Sequence, residues 1–455
     1  MLAIVVSRAD SASEHIGDHL LDLVDWSERH DESRPDGAGG GTVYRRAGME
    51  LRIFDPIHLD LDGVADAFGT VESGPERDPD LLVFASRHAG ETGPLLTAHH
   101  TGNFGPAEFG GADGTLARAC PNAQRAVFEA LDEHVPEGYD VGMECTHHGP
   151  SDVGVPSMFV EVGSDEPQWG DPAAAGAVAQ AILALDGVDA DAPRENDARR
   201  HLVGFGGGHY VPRFERVVRE TDWAIGHVGA DWALDAMGDP REHHDVIEQA
   251  FEESAAEYAL LEAERPALRE AIEELGYRVV DETWVRETSE VPLGLVVRAE
   301  KAIASIDDGL RFGDRARGYD GEFVVESLGA ELLARASGID RDATRETVAE
   351  TALAFDTEQN GTEVVGPFAV AESGDRDTIV DGLADVLAQS YDTVAREGDV
   401  VVARETAFDP SLARERGVPE GPNFGRLSAG QSVEVDGEVV EPAAVTRERR
   451  DEFQI

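Results

Sequence analysis

Short apolar runs alternate with stretches of helical periodicity over the first 285 residues, and this alternation limits the possible folds more than any other feature of the sequence. Residues 2–6, 81–85 and 158–162 are compact apolar runs of the kind that form buried strands. Helical patterns separate them, so strands and helices follow one another along the chain. This order predicts an α/β fold with a mostly parallel sheet flanked by helices.

Further strands and helices follow from the same patterns. Strands are predicted at residues 141–143, 201–205, 224–228 and 277–280. Ser11 and Glu14 form a capping-box pattern at the start of one helix, and Asp171 with Pro172 marks the start of another. A single long helical stretch is predicted over about residues 241–275.

The C-terminal part of the chain differs in composition. The last histidines are His243 and His244, and none of the 15 lies beyond residue 285. Helices near residues 324–336 and 377–396 and a strand at 399–403 predict a smaller α+β region with its own core. We therefore expect one domain over residues 1–285 and a second region over residues 286–455, whose role the sequence leaves open.

Composition narrows the environment of the protein. It has 92 acidic and 38 basic residues, a formal net charge of −54 and one lysine, Lys301. This composition is typical of halophilic cytoplasmic proteins, and because the Debye length at molar salt is about 3 Å, the net charge does not exclude an RNA partner. No apolar run is long enough for a membrane helix, and the two cysteines cannot form a disulfide framework. We expect a cytoplasmic monomer that binds neither membrane nor DNA.

Peptides rich in histidine and glycine follow several of the predicted strands. Ligands bind at the ends of strands in α/β sheets, so these peptides are candidate site segments. They are SRHAG (86–90), TAHHTGNFG (97–105), MECTHHGPSD (143–152), FVEVGS (159–164), GFGGGHYVPR (204–213) and AIGHVG (224–229). In the third peptide, Glu144, His147 and His148 combine a carboxylate with two imidazoles, which can serve as metal ligands, as a general base, or both.

Three consecutive glycines, Gly206, Gly207 and Gly208, precede His209. The run is not a GxGxxG motif, because His209 occupies the third glycine position, and it is not a P-loop, because no Gly-Lys-Ser/Thr follows. Its backbone N–H groups can approach an anion or an oxyanion. A flexible turn with packing glycines is the more ordinary interpretation.

The histidine pair at 99–100 divides between two faces of a predicted strand. Thr97, His99, Thr101 and Asn103 alternate along one face, and His100 points away from it as a packing or solvent-facing residue. The histidines outside the glycine-rich peptides occur in acidic contexts. Surface positions are therefore expected for His15, His19, His30, His134, His243 and His244.

Together these peptides resemble those of D-aminoacyl-tRNA deacylases of the archaeal and plant type. The resemblance covers about residues 1–285, in the same order. In the first motif it rests on His99, Thr101, Gly102, Asn103 and Gly105. The other matching positions are Arg87, His88, Glu144, Thr146, His147, His148, Gly149, Pro150, Glu161, Gly163, Ser164, Gly206, Gly207, Gly208, His209, Tyr210, Pro212, Gly226 and His227.

The resemblance implies a zinc-dependent hydrolase whose core is similar to peptidyl-tRNA hydrolases and phosphorylase-like α/β folds. Its substrate would be D-aminoacyl-tRNA, for example D-Tyr-tRNA. Hydrolysis of the ester at the terminal ribose would remove the wrongly charged amino acid as part of translation quality control. One or two zinc ions per chain are expected, with an activated water as the nucleophile.

The histidines at the strand ends, taken together with the resemblance, suggest roles for the matching residues. The expected metal ligands are His99, Glu144, His147 and His209. His148 or Glu161 takes the proton, and the amides of residues 206–208 stabilise the oxyanion. The expected substrate contacts are Arg87, His88, Thr101, Asn103, Thr146, Tyr210 and His227. Ligand and base roles are interchangeable from the sequence.

Other functions stay open at this point. A peptidyl-tRNA hydrolase or a zinc amidohydrolase would use the same residue types, and a tRNA-binding module would use them without turnover. Cys145 beside His147 suggests a thiol nucleophile, but no third member of a triad is evident. Residues 417–437 resemble a short segment of ribonuclease Z proteins, although no HxHxDH metal motif accompanies them, and the arginines at 447, 449 and 450 suit either phosphate contact or a solvated surface.

Overall fold

The computed structural model describes residues 1–69, 78–195 and 198–455 of the chain. The chain divides into two compact units, Met1–Ser289 and Glu290–Ile455, and the sequence patterns predict a boundary close by, near residue 285. The first unit contains all of the histidines. Each unit has its own sheets and its own core, so each is described separately.

The first unit begins with a mixed sheet that packs against helices. The strands in this part of the chain are β1 (Leu2–Ser7), β2 (Ser27–Asp31), β3 (Gly41–Arg46), β4 (Met49–Phe54), β5 (Leu81–Arg87), β6 (Leu95–His99), the short pair β7 (Gly102–Asn103) and β8 (Thr115–Leu116), β9 (Asp140–Met143) and β10 (Ser157–Gly163). Among the described residues, the sheet order is β2-β3-β4-β1-β5-β10-β6-β9. The central strands β4, β1, β5 and β10 are parallel, whereas β6 is antiparallel to β10 and parallel to β9. The strands predicted at residues 2–6, 81–85, 141–143 and 158–162 are therefore confirmed.

Within the described parts of the chain, the helices that pack against this sheet are α1 (Ser11–Leu23), α2 (Pro121–His134), α3 (Glu166–Trp169) and α4 (Pro172–Leu183). The predicted start of α4 is confirmed, because the Asp171 carboxylate accepts a backbone N–H of the first turn and Pro172 is the first helical residue. The predicted capping box of α1 is wrong. Ser11 already lies inside the helix, and the N-cap is Asp10, whose carboxylate accepts two backbone N–H groups.

The same unit contains a second sheet, in which all strand pairs are parallel. Its strands are β11 (His201–Phe205), β12 (Ala224–Gly229), β13 (Tyr258–Leu261) and β14 (Arg278–Val280), in the order β12-β11-β13-β14. Its helices are α5 (Pro212–Glu220), α6 (Asp231–Met237), α7 (His244–Ser254), α8 (Pro266–Glu274) and α9 (Glu282–Glu287). The long helix predicted over residues 241–275 is therefore wrong, because β13 interrupts it. The backbone groups of β13 are satisfied by pairing with β11 and β14.

Aromatic packing fixes the ends of the two central strands that carry site residues. The rings of Phe84 on β5 and Phe159 on β10 stack with centroids 4.5 Å apart, and both are buried. Burying a phenylalanine stabilises a fold by about 1.5–3 kcal/mol. This contact therefore holds the ends of β5 and β10 side by side, where Arg87 and Glu161 lie.

The second unit combines helices with antiparallel sheets. Its strands are β15 (Arg311–Phe312), β16 (Val324–Glu326), β17 (Ala354–Glu358), β18 (Glu363–Val370), β19 (Thr393–Arg396), β20 (Val400–Phe408), β21 (Val433–Val435), β22 (Glu438–Val440) and β23 (Thr446–Gln454). Its helices are α10 (Leu293–Ala302), α11 (Ala330–Ile339), α12 (Arg341–Thr351), α13 (Asp375–Ala388), α14 (Pro410–Glu415) and α15 (Pro422–Ser428). The stretches predicted as helices at 324–336 and 377–396 each include a strand, β16 or β19.

The segment at 417–437 and the three late arginines are ordinary parts of this unit. The segment contains α15 and the first strand of the hairpin β21–β22. Arg447, Arg449 and Arg450 lie along β23, and each forms an ion pair with a carboxylate of the same unit. In neither unit does a helix of the described chain have the length and apolar character needed to cross a membrane.

Candidate active site

A cleft of about 350 Å³ opens at the carboxyl ends of β5 and β10, the edge at which ligands bind in parallel sheets. Its walls come from these strands and from the segments that follow β1, β4, β9 and β11. The lining residues are Asp10, Ile57, His58, Leu59, Ser86, Arg87, His88, Ala89, Phe109, His147, His148, Phe159, Glu161 and His209. Peptides that are far apart in the chain therefore meet in one cavity.

The peptide after β9 is held beside the peptide after β11. The Cys145 N–H donates to the His209 carbonyl at 2.9 Å, and the Val211 N–H donates to the Met143 carbonyl at 3.1 Å. These bonds bring two side chains 65 positions apart into contact, since Nε2 of His209 lies 2.7 Å from Oε2 of Glu144. Both sheets of the first unit thus contribute to the site.

Three histidines at the cleft, His99, His147 and His148, share one hydrogen-bonding pattern, and we call them the cleft histidines. In each, Nδ1 lies beside a backbone carbonyl, at 3.0, 2.9 and 2.7 Å respectively. A carbonyl only accepts, so in the neutral ring Nδ1 carries the proton and Nε2 keeps its lone pair. The three ring centroids are 4.1 to 4.8 Å apart. Metal-ligating histidines adopt this arrangement, with one nitrogen fixed by an acceptor and the other available to the ion.

Donor atoms converge closely enough to hold a cation. One ligand atom from each cleft histidine lies within 4.8 Å of those from the other two. The ligand atoms of Cys145, His147 and His209 also lie within 4.8 Å of one another, and so do those of His88, Glu144 and His209. In the described structure, Nε2 of His99 and Oε1 of Glu144 are buried without a hydrogen-bond partner. Leaving such atoms unpartnered costs about 1–3 kcal/mol each, so these atoms are suited to a ligand.

Two buried carboxylates face one imidazole. Nδ1 of His88 lies 3.3 Å from Oε1 of Glu144 and 3.7 Å from Oε2 of Glu161, and its Nε2 lies 2.7 Å from the Tyr210 hydroxyl. Burial alone would lower the pKa of His88, but the two carboxylates raise it to about 11. Burial opposes ionisation of both carboxylates, yet the neighbouring histidines, His209 and His88 at Glu144 and His88 and His99 at Glu161, hold their pKa values below the ordinary range.

The cleft histidines differ in their electrostatic surroundings. Burial lowers the pKa of His147 well below its ordinary value and that of His148 to about 4, and the neighbouring His99 contributes in the same direction. For His99 the effect of burial is outweighed by Glu161, whose Oε1 is 3.8 Å from Nε2, so its pKa is raised. Neutral imidazole is the form that binds metal.

Two of the expected substrate contacts lie behind the cleft. His227 is inside β12 rather than at its end, with Nε2 2.8 Å from the Ala117 carbonyl and Nδ1 3.0 Å from Oγ1 of Thr146. Thr146 also accepts the Val228 N–H at 3.0 Å. Both side chains are buried. The pair therefore ties β12 to the peptide after β9 and does not reach the cavity.

Thr101 and Asn103 also differ from expectation, because the predicted continuous strand face is wrong. β6 ends at His99, and Gly102–Asn103 pairs with another short strand. Thr101 is buried. Nδ2 of Asn103 donates to the carbonyls of residues 110 and 112 at 3.1 and 3.3 Å. Asn103 thus shapes the loop that presents Phe109 to the cleft.

The glycine run is not among the described residues that line the cavity. The Gly206 N–H donates to the Gly229 carbonyl at 2.8 Å, so the expected oxyanion role is wrong for this amide. The φ values of Gly206 and Gly207 are +113° and +86°, which favour glycine. A side chain at Gly207 would collide with Glu262. Of the described residues that line the cleft, none belongs to residues 206–208.

Sequence reasoning missed two polar residues of the cleft, Asp10 and His58. His58 begins a 3₁₀ turn, His58–Asp60, and packs edge-on against Phe84 and Phe159 with centroid distances of 5.8 and 5.7 Å. Asp10 has the local pattern of an ordinary helix N-cap. Neither residue belongs to a histidine- and glycine-rich peptide, so the local sequence gave no signal for them.

The remaining candidate residues have structural roles. Nδ1 of His100 lies 3.1 Å from the Gly226 carbonyl and its Nε2 accepts the Cys120 N–H at 3.1 Å, so His100 is a packing residue. Cys145 is buried, and burial raises the pKa of its thiol to about 12, which disfavours a thiolate nucleophile. The histidines expected at the surface are partly or fully exposed and lie outside the cleft, namely His15, His19, His30, His134, His243 and His244.

Several known proteins are similar to this chain. Residues 75–280 match the family described as D-aminoacyl-tRNA deacylase. The chain is 58% identical to the D-aminoacyl-tRNA deacylase of Haloarcula marismortui over 99% of each chain, and 57% identical to that of Natronomonas pharaonis over 100% of each. A protein of the same name from Methanoregula boonei is 34% identical over 98% of this chain and 96% of its own length. A crystal structure of a conserved protein of unknown function covers 64% of this chain and 98% of its own, with a TM-score of 0.54 and 28% identity.

Proposed function

The chain belongs to the D-aminoacyl-tRNA deacylase family, and from this premise we propose that its cleft hydrolyses the ester of D-aminoacyl-tRNA with the help of a bound zinc ion. The observation that carries the zinc proposal is the convergence of the three cleft histidines, each with Nδ1 on a carbonyl and Nε2 available. Family membership makes aminoacyl-tRNA the substrate class. D-Tyr-tRNA is the substrate on which we propose to test it.

The donor set fits zinc, which prefers imidazole nitrogen, carboxylate oxygen and thiolate sulfur. We assign the ion to His99, His147 and His148. Of the other ligands expected from sequence, Oε2 of Glu144 and Nε2 of His209 form a 2.7 Å hydrogen bond with each other, which leaves Oε1 of Glu144, beside His88, as the available atom of this pair. When bound, zinc supplies Lewis acidity that lowers the pKa of water and polarises an ester carbonyl.

Glu161 is the residue to which we assign proton transfer. Its carboxylate lines the cleft and lies 3.8 Å from Nε2 of His99, so it can accept a proton from water that attacks beside the cleft histidines. As the ester C–O bond breaks, this proton passes to the ribose oxygen of the departing tRNA. The other product is the free D-amino acid.

The other polar groups hold this carboxylate and the substrate in place. His88 lies between Glu144 and Glu161 and orients both. The Arg87 guanidinium stands over the Trp169 ring, 5.0 Å from its centroid, and supplies a positive charge at the cleft for the terminal phosphate. Phe109 is 66% exposed at the cleft and offers an apolar surface to the terminal nucleotide.

We also propose a core related to phosphorylases and peptidyl-tRNA hydrolases, a monomeric state, and a cytoplasm of high salt as the working environment. The parallel segment β4-β1-β5-β10 supports the first. The net charge of −54 supports the last, because molar salt screens the repulsion within such a chain.

Ester release from D-Tyr-tRNA and L-Tyr-tRNA in molar KCl tests the proposal. We expect release from the D ester that a zinc chelator abolishes and added zinc restores. Replacement of His147 by Gln removes both zinc and activity. His201→Gln is the matched control, since His201 is equally a histidine of the first unit, is fully buried and lies outside the cleft.

Three results would contradict the proposal in different ways. Release that ignores the chelator would remove zinc from it and leave the substrate class. Cleavage of N-blocked peptidyl-tRNA in preference to D-Tyr-tRNA would favour a peptidyl-tRNA hydrolase. Tight tRNA binding without turnover, in protein shown to be folded in the same salt, would favour a binding module.

A further inference from the structure

The floor of the cleft holds a buried imidazole nitrogen without a partner. His58 is 1% exposed and lines the cleft beside Asp10 and Ser86. In the described structure, its Nδ1 has no hydrogen-bond partner and lies 3.8 Å from Oδ2 of Asp10. Buried polar atoms are almost always paired, so this nitrogen needs an explanation.

The surrounding hydrogen bonds decide which nitrogen of His58 carries the proton. Nε2 lies 3.3 Å from Oγ of Ser13. The Ser13 hydroxyl donates its single proton to the Ala85 carbonyl at 2.6 Å and accepts the Ser7 N–H at 2.9 Å. Nε2 must therefore donate to Ser13, and Nδ1 is left with a lone pair in the cleft.

Asp10 presents a second acceptor at the same point. Its Oδ1 is occupied by the helix cap, while Oδ2 accepts the Ser86 hydroxyl at 3.2 Å and the Arg87 N–H at 3.0 Å. These bonds hold the carboxyl group in position on the cleft floor. A lone pair and a carboxylate oxygen that face each other at 3.8 Å are favourable only when a donor lies between them.

We infer that His58 and Asp10 bind the α-ammonium group of the aminoacyl ester, an inference that rests on the proposed function. An ammonium group has three N–H donors and a positive charge, so one group satisfies both acceptors. It lies only two bonds from the ester carbonyl. The proposed ammonium site and the proposed metal site are correspondingly close, because both contact the Phe159 ring. The centroid distances from this ring are 5.7 Å to His58, 5.2 Å to His99 and 5.0 Å to His148.

A ribose hydroxyl is a poorer occupant of this point. Its single proton can reach only one of the two acceptors, and it has no charge to pair with the Asp10 carboxylate. A site built around an N–H group discriminates strongly against an analogue that lacks it, since the buried acceptors are then unpaired. His58 and Asp10 are thus positioning residues for the acyl half of the substrate.

Binding of two amide-linked analogues of the tRNA terminus tests the inference. One is 3′-(D-tyrosylamino)-3′-deoxyadenosine, and the other carries a hydroxyl in place of the α-amino group. By titration calorimetry at pH 7 in molar KCl, we expect the wild type to bind the amino compound at least about tenfold more tightly. His58→Gln keeps a donor for Ser13 but lacks the acceptor at the Nδ1 position, so the ratio of affinities falls severalfold, while the Asp10 carboxylate keeps part of the preference. His58→Asn places an amide oxygen near that position and restores most of the ratio.

His30→Gln is the matched control, because His30 is exposed and lies outside the cleft, and it should keep the wild-type ratio. Equal binding of the two analogues by the wild type would overturn the inference. So would a His58→Gln variant that binds both more weakly with the ratio intact. Hydrolysis of D-Tyr-tRNA is measured in the same samples. A preserved amino preference without any hydrolysis would refute the proposed function and leave the ammonium contact standing.

Discussion

Two groups of histidines in the first unit have the same chemistry but opposite hydrogen-bonding states. One group is the cleft histidines. The other, which we call the framework histidines, consists of His100, His201 and His227. In the cleft histidines, one nitrogen is bound to a backbone carbonyl and Nε2 is available. In the framework histidines, protein atoms occupy both nitrogens.

The hydrogen bonds of the framework histidines favour the neutral ring. In His201, Nδ1 donates to the Ser254 carbonyl at 2.9 Å and Nε2 accepts the Ala192 N–H at 3.0 Å. If Nε2 were protonated, its N–H would face the Ala192 N–H, and two hydrogen-bond donors would meet without an acceptor. Each framework histidine therefore links segments distant in the chain, and it has no lone pair left for a ligand.

Burial and pKa do not separate the two groups. Burial is the largest influence on His148 and on His201, and it lowers the pKa of each to about 4. What separates them is whether the second nitrogen has a protein partner. A perturbed pKa alone would therefore select framework residues as readily as site residues.

The largest expected effect comes from the neighbouring pair His99 and His100. His99→Gln should remove zinc and lower kcat/KM on the order of 10³-fold, because loss of metal stabilisation is worth several kcal/mol. His100→Gln should keep zinc and activity. Metal content by mass spectrometry and single-turnover deacylation measure both. The distinction between the two groups would break down if both variants lost zinc equally.

A smaller loss is expected when the proton acceptor is changed without changing the ligands. Glu161→Gln should lower kcat by about 10²–10⁴-fold, the usual contribution of a general base, while zinc stays bound. Glu253→Gln is the matched control, since Glu253 lies outside the cleft. Unchanged kcat for Glu161→Gln, with full zinc content, would assign the proton to another group.

A framework histidine should affect stability more than chemistry. His227→Leu leaves the Ala117 carbonyl without its donor and the Thr146 O–H without its acceptor, which we expect to lower the free energy of unfolding by about 3 kcal/mol. Urea unfolding in molar KCl measures this change. If His227→Leu unfolded like the wild type yet failed to bind substrate, His227 would belong with the binding residues after all.

The smallest expected effect is a pH dependence carried by His201. Its pKa of about 4 in the folded protein lies below the ordinary 6.5, so between these values the unfolded chain binds more protons. Its stability contribution is complete above pH 6.5 and is lost as the pH falls toward 4. His201→Gln should therefore reduce the slope of stability against pH by about 1 kcal/mol per pH unit. His30→Gln should leave this slope unchanged, and an equal slope in both variants would contradict the assignment.

Half of the strands described in the first unit could be predicted, namely β1, β5, β9, β10, β11, β12 and β14, because they are short apolar runs that stand out between helices. β13 could not, since four residues between two helical patterns carry too little periodicity to interrupt them. The N-cap of α1 was misplaced by one residue, because Asp10 and Ser11 are both good capping residues. The backbone conformation in the folded protein makes Asp10 the N-cap.

The candidate site, too, could be predicted only in part from the sequence. The sequence indicated the histidine peptides and the family they resemble, and the structure brings several of them to one cleft. No local pattern in the sequence singles out His58. The substrate contacts predicted from the sequence included His227 and Thr146, which lie behind the cleft. Their positions depend on contacts with residues far away in the chain, which no local pattern encodes.

The sequence by itself determined the chemical groups available to this protein, because composition and motif spacing are properties of the chain alone. It also determined the membership of its family. Only the tertiary structure decided which imidazole nitrogens are free. A histidine becomes a framework residue when a partner such as the Gly226 carbonyl, 126 positions from His100, comes within hydrogen-bonding distance. It stays available for a ligand when no such partner reaches its second nitrogen, and that outcome is fixed by folding.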